Sequence, residues 1–168
     1  NYQESPFKGI AYRTSPTNIG MGLISNVVAL DLGYIVFEDA LFRIEKIISS
    51  MLLLETYNGH FLNWYDTKTR KPLYPRYIST VDSGNLIGYL YTTKSFLEEN
   101  IEFDKEKISN MIEKINYIIE QTNFKVLYNN EQRVFSIGFN VEENKLTEDI
   151  VKRDAVNIRE ASANLLEL

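Results

Sequence analysis

The chain has 168 residues, 44% hydrophobic and 24% charged, which is enough for one folded domain with a core of its own. Its 18 Lys and Arg against 23 Asp and Glu give a net charge of −5 and form no basic stripe, which argues against nucleic acid as a partner. With no Cys and a single His, disulfides and thiolate metal sites are excluded, a histidine metal centre is disfavoured, and no cofactor is expected.

The longest apolar run, Ile47 to Leu54, is interrupted by Ser49 and Ser50 and falls short of the roughly 20 residues of a membrane span. No signal peptide is visible, and the absence of Cys fits a reducing compartment. The chain opens at Asn1 rather than Met, and reads as an excerpt or processed piece of something larger.

Residues 1–15 lack periodicity and read as an extended arm. Ser15-Pro16 is a helix start, with Ser as N-cap and Pro at the first helical position, where a missing N–H costs nothing. The first helix is expected over Pro16 to about Leu32, with Ile19, Leu23, Val27 and Leu30 on its buried face and Gly20 and Gly22 allowing close packing. A second, about Phe37–Tyr57, carries Phe37, Leu41, Ile44, Ile48 and Met51 and stops at Asn58-Gly59. Asp31 sits unfavourably in a last helical turn, and Arg43 is its expected partner.

Then comes the most informative segment, Gly59 to Leu90, which holds the only His, the only Trp and a cluster of Tyr and Asp between two helical patterns. Loops on rigid scaffolds are where binding groups concentrate, so the function is expected here. His60–Asp66 alternates like a strand, and Leu73–Thr80 returns as a second one, confined to an edge or made irregular by Pro72 and Pro75. A third helix is expected from Asp82-Ser83 to about Glu98. A fourth, Lys105–Thr122, is capped by Asp104 and buries Ile108, Met111, Ile112, Ile115 and Ile119. Phe124–Tyr128 and Val134–Asn140 flank Asn129–Arg133 as a hairpin, and Thr147–Leu166 reads as a fifth helix. The groups around Glu98-Glu99 and Glu142-Glu143 read as solvated connections.

The order is helix, helix, hairpin, helix, helix, hairpin, helix. If successive helices are antiparallel, both long β-containing connections emerge at one end and both short ones at the other. The fold class expected is mainly α: a partial (α/α)6 toroid of about five antiparallel helices, with two hairpin-like loops at one end.

Several blocks can be compared with a known pattern: Arg13 to Gly20 (RTSPTNIG), Asp31 to Tyr34 (DLGY), Gly59 to Thr67 (GHFLNWYDT), Tyr77 to Leu86 (YISTVDSGNL) and Phe135 to Phe139 (FSIGF). In this order they resemble the central, glycoamylase-like domain of cyclic β-1,2-glucan synthases, over residues 5–146. The resemblance implies a carbohydrate-active (α/α)6 domain that transfers and cyclises linear β-1,2-glucan chains. It also implies the remaining domains of a larger synthase as partners and a cytoplasmic place in an inner-membrane-bound enzyme. A full toroid has twelve helices and this chain supplies about five, so the piece is expected to be inactive alone. After Lys145 the sequence LTEDIVKRDAVNIREASANLLEL departs from the family pattern.

Glycosyl transfer commonly uses two carboxyl groups, about 5–5.5 Å apart in retaining enzymes and about 6.5–9.5 Å in inverting ones. Asp66 and Asp82, on opposite arms of the aromatic loop, are the candidates. Asp82 also fits a first-turn carboxylate at a helix N-terminus, and Asp66 a turn residue bonding its own backbone. Trp64, Tyr65, Tyr74 and Tyr77 are candidate stacking platforms for sugar rings, or aromatic caps of the core. Strand alternation separates Phe61, Asn63 and Tyr65 from Leu62, Trp64 and Asp66, and the second set is assigned to the cleft. Asn18, Asn63, Ser83 and Asn85 complete the candidate substrate-binding set with His60, which fits an anchoring hydrogen-bond partner better than an acid–base catalyst. The alternative is a carbohydrate-binding or structural segment without chemistry. Apolar edges left by an incomplete toroid point to a homodimer.

Overall fold

The computed structural model describes residues 2–3 and 9–147. In chain order the elements are β1 (Tyr2–Gln3), β2 (Gly9–Ile10), β3 (Arg13–Thr14), α1 (Pro16–Asp31), α2 (Phe37–Met51), β4 (Thr56–Tyr57), β5 (His60–Phe61), β6 (Asn63–Asp66), β7 (Pro72–Ser79), α3 (Thr80–Glu99), α4 (Lys105–Gln121), β8 (Tyr128–Asn129), β9 (Val134–Phe135), β10 (Gly138–Asn140) and β11 (Lys145–Leu146). The expected fifth helix falls outside the described residues, which hold four α-helices and small sheets.

Three of the helices start on side chains that satisfy their own first turn. Ser15 accepts from the N–H of Asn18, Ser79 from Asp82 and Asp104 from Lys107. Between the helices lies a core to which each contributes a stripe: Leu23 of α1; Leu41, Ile44, Ile48 and Met51 of α2; Leu86, Leu90 and Leu97 of α3; Ile108, Met111, Ile115 and Ile118 of α4. Each such side chain stabilises the fold by about 1.5–3 kcal/mol through burial.

The broadest helix contact joins α1 to α3 rather than consecutive helices. Thr17 meets Asp82 and Asn85 near both N-termini, and Gly20 meets Tyr89 one to two turns further on, so the two helices run parallel. A Cβ at Gly20 would collide with the Tyr89 ring, which is why the approach requires glycine there. Gly22, on another side of α1, faces Ile47 of α2. Sharing its burial between two neighbours explains a departure from the expected face of α1: Leu23 is fully buried, whereas Ile19 and Val27 pack only partly against the core.

At the N-terminal end of α1 and α3, strands from both long connections and β3 of the N-terminal arm form one five-stranded sheet in the order β11-β10-β7-β6-β3. Pairing of β10 with β7 places the 123–147 segment beside the aromatic segment, at the common end expected for both. Of the two outcomes expected for the proline-bearing return strand, an edge or an irregular strand, the structure shows the second: β7 is the central strand and its pairing is irregular. It is paired on both sides only near Tyr77, beyond both prolines, and its register against β6 jumps from Asn63↔Tyr77 to Tyr65↔Pro72. The irregularity accommodates Pro75, which has no N–H to give a ladder. The Asn63–Trp64 and Tyr74–Pro75 peptide bonds are cis.

The second helix ends at Met51, not near Tyr57. Asn58-Gly59, read from sequence as a helix stop, is a two-residue hairpin turn joining β4 and β5, with φ of 49° and 77°. Such turns need positive φ at both central residues, which Asn-Gly supplies, and they claim Thr56 and Tyr57 as strand. Phe124–Leu127 forms a 3-10 turn rather than the expected strand. Glu142 is not a solvated bystander: it pairs with Arg76 at 2.7 Å, while Glu55 takes the other side of the guanidinium at 2.8 Å. Arg76 thereby ties β7 to both long connections. Asp31 and Arg43 form no ion pair.

Between α1, α2 and the β3–β6 edge of the sheet lies an open, mainly apolar groove of about 460 Å³, lined among others by Asn18, Ile19, Ile47, Met51, Leu54, Asp66 and Arg70.

The Asn58-Gly59 turn also anchors α4, because Asn58 accepts from the N–H of Asn123 and a Cβ on Gly59 would strike the Gln121 carbonyl. Gly59→Ala is expected to lower stability by more than about 2 kcal/mol, combining a positive-φ penalty with a backbone clash. Asn58→Gly, which removes no steric requirement, is expected to change it by less than about 1 kcal/mol. Urea midpoints of the two variants check the contrast.

Candidate functional site

Two parallel helix N-termini meet at one carboxylate. Asp82 lies in the first turn of α3, and its Oδ1 accepts from the N–H of Thr17 in the first turn of α1 at 3.3 Å. The Asp82 N–H in turn donates to Ser79 Oγ at 3.1 Å. Asn85 reaches across to the Thr17 hydroxyl at 3.4 Å. Asp82 is half-buried, and burial pushes its pKa up. Hydrogen bonds from the side chains of Thr17, Ser79 and Asn63 and from the Thr17 N–H outweigh that, so the carboxyl sits below its usual range. The positive ends of two helix dipoles act in the same direction. Asp82 is therefore an anion at neutral pH, suited to accept hydrogen bonds or to act as base or nucleophile, and not held protonated as a general acid.

The structure does not bring Asp66 into this cluster. Its Oδ1 accepts from the N–H of Thr69 at 2.7 Å, the N–H of Lys68 at 2.9 Å and the Thr69 hydroxyl at 3.1 Å. Those bonds, led by the Thr69 N–H, lower its pKa. This is the turn role that the sequence also allowed, and it closes the connection from β6 to β7. Asp66 shares no partner with Asp82 and lies three residues beyond Asn63 along β6, about 10 Å at strand spacing.

Three expected substrate-binding residues belong to the interior. His60 is 1% exposed; its Nε2 donates to the Asn123 carbonyl at 3.0 Å, so its Nδ1 accepts from the Ser83 hydroxyl at 2.9 Å. The ring also meets the edge of Phe124. Both nitrogens and Ser83, itself buried, are used up in holding α3 to the 122–124 turn, which corrects the assignment of His60 and Ser83 to sugar binding. Tyr65 is corrected likewise: it is 1% exposed, accepts from the Leu62 N–H and donates to the Glu55 carbonyl at 2.6 Å. Burial raises its pKa. An aromatic ring sunk in the core offers no platform.

The remaining candidates stay near the sheet end. Trp64 is partly exposed, with the Arg13 guanidinium 4.8 Å from its ring centroid, so one face is covered by a cation. Asn63 is buried and donates to Asp82, leaving its Oδ1 with no hydrogen-bond partner. Asn18 and Asn85 are exposed on the first turns of α1 and α3. Tyr77 packs against Gly138 and shares a hydrogen bond with Thr147 at 3.1 Å. Sequence reasoning missed Thr17 and Ser79, the two hydroxyl partners of Asp82. A signal was present: Ser15-Pro16-Thr17-Asn18-Ile19-Gly20 and Ser79-Thr80-Val81-Asp82-Ser83-Gly84 repeat a capped helix start with glycine at the same place.

Among the described residues, no group of acidic or histidine side chains is arranged to hold a metal ion, and no helix is long and apolar enough to cross a membrane.

This architecture is shared with glucoamylase-like α/α-toroid domains. A glucoamylase-class structure from Bacteroides fragilis NCTC 9343 matches with a TM-score of 0.71 at 15% identity, over 84% of this chain and 34% of that one. An endo-β-1,2-glucanase from Chitinophaga pinensis, in complex with sophorotriose and glucose, matches at 0.67 and 20% identity, over 84% and 32%. A β-1,2-glucanase from Parabacteroides distasonis matches at 0.61 and 17%, over 68% and 17%. At these identities the likeness is one of fold. In sequence, 99 residues are 46% identical to the cyclic β-(1,2)-glucan synthase NdvB of Rhizobium meliloti (strain 1021), which is 59% of this chain and 4% of that protein. The chain thus matches a small part of a much longer synthase. No family model matches it.

As the only His in the chain, His60 gives acid sensitivity a distinct window. Burial lowers its pKa from the usual 6.5, against the raising effect of the Asn123 carbonyl. The unfolded chain therefore binds the proton first as pH falls. Stability is full above about pH 6.5 and declines below it, by up to about 1.4 kcal/mol per pH unit. The lowered carboxylates Asp66, Asp82 and Glu142 act only below about pH 5. Urea midpoints measured from pH 7.5 to 5 are expected to fall for the wild type, and to stay level for His60→Gln despite a lower starting value.

Proposed function

We propose that the chain is part of a β-1,2-glucan-processing domain and contributes one wall of its sugar site. The wall lies at the N-terminal ends of α1 and α3, with Asp82, Trp64, Asn18 and Asn85 facing the glucan and the buried Asn63 beneath them. The observation that carries the reading is the ionised, half-buried Asp82 between two parallel helix N-termini, beside an aromatic strand. The similarity to a cyclic β-(1,2)-glucan synthase and the fold shared with β-1,2-glucanases support the substrate class. The same resemblance carries a setting with it: a cytoplasmic position within an inner-membrane-bound synthase.

Chemistry by this piece alone is not part of the proposal. A two-carboxylate mechanism needs a protonated acid opposite the base or nucleophile. Asp66 is depressed and tied into its own turn, so it does not supply one. That observation favours the second reading, a carbohydrate-binding or structural segment whose catalytic partner groups lie in the rest of a larger enzyme.

Titration with sophorotriose followed by ¹H–¹⁵N NMR tests binding. Shifts are expected at Trp64, Asn18 and Asn85 in the millimolar range, with affinity lowered about tenfold or more in Trp64→Ala, in keeping with the loss of one aromatic contact. Equal binding by Trp64→Ala removes Trp64 from the site. Rapid cleavage or cyclisation of β-1,2-glucan by the isolated chain overturns the claim that it lacks its acid.

Self-association through the open edges of a partial toroid, α1 among them, follows from the same reading, since in a closed toroid a neighbouring hairpin covers such an edge. A concentration-dependent monomer–dimer equilibrium in sedimentation velocity is expected. A strictly monomeric species at high micromolar concentration rules it out.

A further inference from the structure

We propose that the end of the helix stack opposite the sheet docks a basic amphipathic helix of a partner protein. The inference is independent of the sugar-binding reading and concerns the other pole of the molecule. The N-termini of α1 and α3 lie at the sheet, so both helices deliver their short connections, residues 32–36 and 100–104, to this far end. Phe37 at the start of α2 joins the two. Its ring stacks on Phe103 at 4.1 Å between centroids and meets Phe96 of α3 at 6.1 Å. Around this joint large apolar side chains stand open to solvent: Leu32 is 61% exposed, Tyr34 79%, Val36 60% and Phe103 66%. Single exposed apolar residues are ordinary, but four on two joined connections make a patch on the order of a few hundred Å², a size that marks interfaces.

Charge selects the occupant. Residues 31–39 hold three carboxylates and no basic side chain, and residues 98–104 hold four and none. Glu38, Asp39 and Asp104 sit at the starts of α2 and α4, where the helix dipole favours them. The others have no such reason. Asp31, Glu98 and Glu99 lie in the last turns of α1 and α3, the negative ends of those dipoles, and neither turn carries a base. Lys94 answers Glu98 at 3.7 Å, while Asp31, Glu99 and Glu102 take part in no ion pair among the described residues. An apolar patch framed by unanswered carboxylates matches a helix with one apolar face flanked by Lys and Arg. Such a helix relieves the carboxylate repulsion as it covers Leu32, Tyr34 and Phe103. An anionic lipid surface meets repulsion instead, and a two-fold pairing of this end with itself sets like charge against like.

The test uses the full chain and a fluorescein-labelled leucine–lysine peptide designed as an amphipathic helix, with a scrambled peptide of the same composition as control. Micromolar binding by fluorescence anisotropy is expected for the first peptide. It is expected to weaken about tenfold or more in Leu32→Ser/Tyr34→Ser and in Asp31→Lys/Glu102→Lys, all exposed positions. In the wild type, ¹H–¹⁵N shifts are expected within residues 31–37 and 99–104, which decides the matter even if a variant fails to fold. Shifts centred elsewhere, equal binding of the scrambled peptide, wild-type affinity in both variants, or no binding at all overturns the proposal. So does adsorption to phosphatidylglycerol vesicles that Leu32→Ser/Tyr34→Ser abolishes, which assigns this end to a membrane. Self-association lost in the same variant overturns it too, by assigning the patch to a second copy.

Discussion

The hydrogen bond from Thr17 to Asp82 joins the first turns of two parallel helices, and the rest of the arrangement depends on it. Parallel helix N-termini repel through their dipoles, and a shared anion between them removes that penalty. Asp82 supplies the anion, and Ser79 and Asn63 bring in the strand before α3 and the strand opposite. Behind this contact, Gly20 lets the Tyr89 ring close against α1, so the helices stay in register along their length. One carboxylate therefore serves both helix ends at once, and the proposed sugar site is built on the same contact. The turn-capping and functional readings of Asp82 describe the same geometry.

Around it, buried polar groups are spent on joining connections to helices. His60 bridges Ser83 on α3 to the Asn123 carbonyl. Tyr65 binds two backbone groups on either side of the Asn58-Gly59 hairpin. Thr80 donates to the Ser136 carbonyl, and Ser136 donates to Thr147. In each case a polar side chain satisfies a backbone group that the sheet ladder leaves over. Residues spent in this way are not free for a ligand. Asn63 is the exception, with one polar atom satisfied and the other unmatched.

Much of the helical layout was legible from periodicity and caps. Ser15-Pro16 and Asp104 mark their helix starts to the residue, and Ile108, Met111 and Ile115 fall on the buried face of α4. What failed did so for local reasons. Asn58-Gly59 carries the same residues as a helix stop and as a type I′ hairpin turn, and only the pairing of Tyr57 with His60 distinguishes them. The prolines of β7 left an edge and an irregular strand open, because sequence does not say which stretch of a strand is paired on both sides. For the site, residue type exposed Asp82 but also drew in His60, Tyr65 and Ser83, whose polarity serves the interior. Alternation did separate Trp64 and Asp66 from the buried Asn63 and Tyr65.

The repeated helix start explains why the site holds one charge. Residues 13–66 and 72–140 follow the same plan: a strand into an inner helix, a second helix behind it, and a strand returning to the common sheet. Ser15 corresponds to Ser79, Gly20 to Gly84, and Asn18 to Asp82. At the third position of the helix, one unit therefore presents a neutral amide and the other a carboxylate. A carboxylate in place of Asn18 would bring a second negative charge to the same pair of helix starts, on the side of α1 that lines the groove against α2. With Asn18 in one unit and Asp82 in the other, a single anion compensates both helix ends, and the exposed amide of Asn18 keeps its place at the same rim. The two units are alike in backbone and unlike in charge at this position, and in the proposed sugar site that asymmetry gives the rim its direction.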